Sequence, residues 1–185
     1  MKTILSLILF FTVAHLSNAQ QGPKTGILYG KDFAYQLTAP DGWVLDNKSG
    51  VKQGLHAVFY KEGFTWANAP VVMYANTASL KDKAHNSLEA LVKYDSKKFK
   101  SSYKDLKITK GDPIKLAGKN VIVKKLAGKS YGNFEAIAYF QEGDLGIMVI
   151  LSSRTQEGFE SSLQGFQKLV QSYKKLDLKV INKKS

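Results

Sequence analysis

Leu145-Gly146-Ile147-Met148-Val149-Ile150-Leu151 (LGIMVIL) is apolar on both of its alternating faces. A strand with one face in water alternates apolar with polar residues, so this one is expected to be covered on two sides, in the middle of a sheet. Phe134 to Phe140 approaches it through the turn Glu142-Gly143-Asp144, which makes a hairpin. Directly after it, Thr155 stands where an N-cap belongs. The helix this predicts runs from about Gln156 to Leu176 and buries Phe159, Leu163, Phe166, Val170 and Tyr173.

Upstream the same grammar recurs. AVFYKEG (Ala57 to Gly63), VVMYANTAS (Val71 to Ser79) and a helical stretch echo AIAYFQEG (Ala136 to Gly143), IMVILSSRT (Ile147 to Thr155) and the last helix. Duplication and independent reuse of glycine turns both produce such an echo. Strands are expected at Phe33 to Leu37, Leu55 to Lys61, Pro70 to Thr77, Ile114 to Leu116 and Asn120 to Leu126, the last two joined at Gly118. Between them, Ser87 to Lys104 carries Leu88, Leu91, Val92, Phe99 and Tyr103 on one helical face. Lys93, Lys97, Lys100 and Lys104 form a stripe on the other. Two hairpin-plus-helix units then share one largely antiparallel sheet. The expectation is an α+β fold with a helix available for each face of the sheet.

Residues 1–19 read as a secretory signal peptide. Lys2 gives a positive start, Ile4 to Ala14 an apolar run of eleven residues, and Ser17-Asn18-Ala19 small residues at the −3 and −1 positions of a cleavage site after Ala19. A membrane-spanning helix needs about 20 apolar residues, so no transmembrane anchor is expected. Residues 20–185 form one domain, expected to be monomeric and periplasmic or secreted. With no cysteine in the sequence it has no disulfide framework.

The formal charge is +12, or +11 once Lys2 leaves with the signal peptide, and Arg154 is the single arginine. Lysine is a hydrated point charge suited to diffuse anionic surfaces, whereas base and carboxylate reading favours the arginine fork. Residues 81–129 hold 14 Lys against 5 acids. A surface of Lys93, Lys97, Lys100 and Lys104, with Lys107, Lys110, Lys115, Lys119, Lys124 and Lys125 nearby, suits an acidic envelope protein, an anionic lipid or a polysaccharide. It also suits plain solubility. Nucleic acid is disfavoured by export and by the lack of aromatic platforms interleaved with Arg.

The run FAYQLTAPDGW (Phe33 to Trp43), followed by a hairpin containing FTWANAPVVMY, a helix, further strands and a terminal helix, resembles the PsbP-like fold family, which includes periplasmic DcrB-like proteins and a nuclear-import accessory factor. The resemblance implies an α/β/α sandwich around an antiparallel sheet, with helices on both faces. It also implies accessory or docking proteins more often than enzymes, with no catalytic residues to carry over.

Catalytic chemistry is thinly represented. Gly128-Lys129-Ser130 lacks the glycine that a phosphate-binding loop needs at position 123, which is Val123. His56 and His85 are the only histidines after residue 19, so no metal site or cofactor is indicated. Asp41 and Asp46 are candidates for an acid–base pair, but both flank a Pro/Gly turn, where carboxylates commonly hydrogen-bond backbone or face water. Trp43, just after that turn, reads as a structural peg. Trp66, in the polar loop Glu62 to Ala69, is a contact candidate. The expectation is a non-catalytic exported accessory protein that docks through its lysines. The alternative is a small-molecule carrier or degraded enzyme with a pocket lined by Trp66, Tyr60 and Tyr74.

Overall fold

The computed structural model describes residues 24–30 and 33–177, so the signal-peptide reading lies outside the described residues. In chain order the elements are β1 (Thr25–Tyr29), β2 (Ala34–Thr38), β3 (Trp43–Asp46), a 3-10 turn (Val51–Gln53), β4 (Val58–Lys61), β5 (Val71–Ser79), α1 (Leu88–Ser102), β6 (Lys107–Lys110), β7 (Ile122–Ala127), β8 (Phe134–Glu142), β9 (Leu145–Ser153), α2 (Gln156–Gln171) and β10 (Lys174–Lys175). Among the described residues this is a mixed α+β fold with two helices and two antiparallel sheets. The larger has seven strands in the order β3-β4-β5-β9-β8-β7-β6, and the smaller has three, β1-β2-β10.

The LGIMVIL strand is β9, fourth of the seven, paired with β5 on one side and β8 on the other. Its alternating residues divide between two clusters. Ile147, Val149 and Leu151 pack with Phe159, Phe166, Leu169 and Val170 of α2. Ile150 packs with Leu88, Leu91 and Val92 of α1, and half-buried Met148 rests against that second group. The turn before β9 is made by Gly143 at φ 57°, a conformation cheap only for glycine. Thr155 caps α2 by accepting from the Gly158 N–H at 3.1 Å, and Ser87 caps α1 by accepting from Ala90 N–H at 3.1 Å.

Trp43 is the first residue of β3 and is buried in the cluster that α2 covers. The turn before it closes through Trp43 N–H to Pro40 C=O at 3.0 Å. Gly165 of α2 leaves room for the indole, since a Cβ there would sit 3.0 Å from Trp43 Nε1. Trp43 is therefore a peg between sheet and helix.

Three expectations are corrected. Ile114 to Leu116 is not a strand: Pro113 offers no N–H to a ladder. After Gly111 N–H bonds Val123 C=O at 2.9 Å the chain leaves the sheet, and Leu116 forms only a bridge with Lys119 around Gly118. The last helix ends at Gln171 rather than Leu176. Ser172 N–H turns back to Lys168 C=O at 3.0 Å, while its Oγ accepts from Thr38 N–H at 2.9 Å and draws the chain into β10 beside β2. Lys104 lies beyond α1, because Tyr103 is already extended at φ −132°, ψ 100°.

Candidate functional site

The lysine surface begins on α1. Leu88, Leu91 and Val92 are buried and Phe99 and Tyr103 half-buried, which turns Lys93, Lys97 and Lys100 outward into solvent. Lys104 is exposed too, on the following loop. None of the four makes an ion pair among the described residues, where Asp41 pairs with Lys24, Asp144 with Lys81 and Asp112 with Lys125. The β6–β7 register adds Lys110 directly opposite Lys124. Like charges facing across a ladder disfavour the pairing, so this positive density is held by the fold against local repulsion. Because β6 is an edge strand, its lysines also discourage another strand from adding there.

The three aromatic residues expected to line a pocket, Trp66, Tyr60 and Tyr74, lie close together. Buried Tyr60 and half-buried Trp66 and Tyr74 belong to one cluster with Val58 and Ala69. Trp66 Nε1 donates to Gln53 Oε1 at 3.0 Å, and Tyr60 OH donates to Asp46 Oδ2 at 3.0 Å. Asp46 Oδ1 accepts from the N–H groups of Lys48 and Ser49 at 2.8 and 2.9 Å. Burial pushes that carboxyl up, but the hydrogen bonds from Ser49, Lys48 and Tyr60 outweigh it and bring it down to about 2. Asp41, by contrast, is 91% exposed and faces Lys24, so the two aspartates do not form an acid–base pair. Gly128 to Tyr131 is a turn, fastened where Asp105 accepts from Ser130 N–H and Oγ–H.

Two polar constellations escaped the sequence reading. Beneath α1, Glu135 of β8 is 6% exposed and accepts from Tyr131 OH. Burial first, and the Glu135 charge second, push the Tyr74 and Tyr131 hydroxyls up. Asp95 of α1 is likewise raised by burial, against the lowering effects of a Tyr139 hydrogen bond and of Lys98 and His85.

The second lies where the small sheet meets the β8–β9 turn. Glu142, at the end of β8, is 18% exposed and accepts from Lys119 Nζ, from Tyr173 OH at 3.0 Å and from Lys175 Nζ at 3.1 Å. Burial raises its carboxyl, and those three hydrogen bonds together with the Lys119 charge bring it below the ordinary range. The same knot pushes the Tyr173 hydroxyl up, by burial and then by the bond to Glu142. Beside it opens a recess of about 840 Å³ walled by Phe33, Tyr35, Leu145, Tyr173 and Leu176, and a smaller one of about 400 Å³ shares Glu142, Tyr173 and Lys175. Among the described residues no group of three His, Asp or Glu side chains is arranged to hold a metal ion. No described helix is long and apolar enough to cross a membrane.

No protein-family model and no curated protein matches the chain. Solved structures do. Cyanobacterial PsbP (CyanoP) from Synechocystis sp. PCC 6803 is 12% identical with a TM-score of 0.53, over 90% of this chain and 98% of that one. The Ran-binding protein Mog1p of Saccharomyces cerevisiae is 14% identical with a TM-score of 0.51, over 85% and 97%. A protein from Bacteroides thetaiotaomicron VPI-5482 is 9% identical with a TM-score of 0.50, over 84% of this chain and 49% of that one. At such identities the likeness is one of fold, and the fold is PsbP-like.

Proposed function

We propose that this chain is an exported, non-catalytic accessory protein of the cell envelope, released by cleavage after Ala19, which docks on an anionic partner through its lysine-rich surface. In this reading α1 and α2 cover opposite faces of the seven-stranded sheet as an α/β/α sandwich, and Lys93, Lys97, Lys100 and Lys104 meet the partner. The observation that carries it is the exposed state of these four lysines, none of them in an ion pair among the described residues. The PsbP-like fold adds support, since one structural neighbour binds Ran. Partner chemistry is that of an acidic envelope protein, an anionic lipid or a polysaccharide, each attracted over a Debye length of about 8–10 Å at moderate salt.

Reversal of all four lysines to Glu tests the reading, because none contributes to the core. Wild-type residues 20–185 should bind their own envelope fraction at low salt and release at high salt, and the four-Glu variant should fold but fail to bind. Binding that survives the reversal unchanged at low salt would reduce the stripe to ordinary solvated surface.

A further inference from the structure

The recess beside Glu142 contains a group that docking leaves unexplained. Tyr35 is 1% exposed and walls the recess, and its hydroxyl is buried with no hydrogen-bond partner among the described residues. A buried hydroxyl left unpaired is destabilising, and phenylalanine would fill the same space without that cost. Shut off from water, the Tyr35 hydroxyl has no described partner, and a molecule in the recess reaches it by displacing a half-buried neighbour such as Leu176.

The chemistry of the walls narrows what that molecule is. The Phe33 and Tyr35 rings stack at 6.1 Å, and Tyr173 lies 5.6 Å from Tyr35, which makes a row of three aromatic faces. Charge at the rim is largely paired. The recess is lined by Lys81 and Lys175 against Glu142, Asp144 and Asp177; Lys81 pairs with Asp144 at 3.2 Å, and Glu142 takes both Lys175 and, from the adjoining smaller recess, Lys119. A recess of about 840 Å³ is within the roughly 300–1,000 Å³ of small-molecule sites, which combine apolar walls with a few placed polar groups.

We propose that this recess binds a neutral, ring-bearing small molecule with one hydrogen-bonding oxygen or nitrogen, the ring against the Phe33–Tyr35–Tyr173 row and the polar atom on the Tyr35 hydroxyl. The site is separate from the lysine surface and stands or falls independently of docking.

The test uses residues 20–185 and 1-naphthol as the probe, followed by saturation-transfer NMR and thermal melting. Saturable binding is expected, weakened about three- to tenfold by Tyr35→Phe, the worth of one hydrogen bond. Tyr35→Phe should also melt no lower than wild type. Ser79→Trp, which fills the recess from an exposed position, should abolish binding. The charged analogues 1-naphthoate and 1-naphthylmethylammonium should bind more weakly than 1-naphthol. The proposal is overturned if 1-naphthol fails to saturate, if Tyr35→Phe keeps full affinity or melts well below wild type, if Ser79→Trp still binds, or if a charged analogue binds more tightly.

Discussion

Replacing Glu142 by Gln keeps the shape of the side chain and an acceptor for Tyr173, and removes the charge that Lys119 and Lys175 share. The two lysines are not equal. Lys175 is 67% exposed, so its pairing is worth only a few tenths of a kcal/mol in screening solvent. Lys119 is 20% exposed and faces an 18% exposed carboxylate, and hydrogen bonds to charged groups in such settings contribute about 1.5–3 kcal/mol. Since Gln still accepts one neutral bond, the expected loss is about 1–2 kcal/mol, or a melting temperature lower by about 2–8 °C for a domain of this size. The pH dependence identifies the charge. Glu142 is held below its ordinary value, so its contribution is fully present above the unfolded carboxyl's value of about 4.3 and is lost as pH falls toward the lower folded value. Urea unfolding of both proteins from pH 7 to pH 3 should therefore show a gap that narrows below about pH 4. A variant within about 0.3 kcal/mol of wild type at pH 7, or a gap that stays constant down to pH 3, would refute the assignment of Glu142 as a charge-bearing knot.

The central strand gives a second expectation. Ile147→Ala empties a fully buried position and should cost about 2–5 kcal/mol, while Met148→Ala, only half-buried, should cost visibly less; equal costs in equilibrium unfolding would contradict the burial difference. A third concerns acid. Tyr60→Phe removes one of the bonds that hold Asp46 near 2, so it should destabilise by about 0.5–1.5 kcal/mol at pH 7. Because the folded value is depressed, this deficit should fade between about pH 4 and pH 2, and a deficit that grows in that window would show the sign to be wrong.

What could be read from the chain was what local rules govern. The two helices, the Thr155 cap and the β8–β9 hairpin follow from periodicity and capping chemistry over a few residues. β6 was invisible because Lys-Ile-Thr-Lys has a single apolar residue, and it is a strand only because β7 offers it a register. The end of α2 was overrun because Tyr173 continues the helical spacing. Tyr173 does contribute to the core, but from an extended segment recruited by Thr38 and Ser172, a pairing 134 residues apart. Long-range pairing likewise hid Glu142. Its partners Lys119, Tyr173 and Lys175 are 23, 31 and 33 residues away, and in the sequence it was only a turn residue.

The strand order also sets a schedule. β5 finds its inner neighbour only in β9, with Val71 opposite Ser153, and the small sheet closes only when Gln36 meets Lys174. A chain that emerges from its N-terminus can assemble β3, β4 and β5 early, but β5 then carries an open edge and its buried residues Met73 and Ala75 have no α2 to cover them. Contacts of such sequence separation form late and slowly, and an uncovered edge invites pairing with other chains. The early strands are therefore only completed when β9, α2 and β10 arrive, and release of an unfinished copy leaves its apolar middle bare.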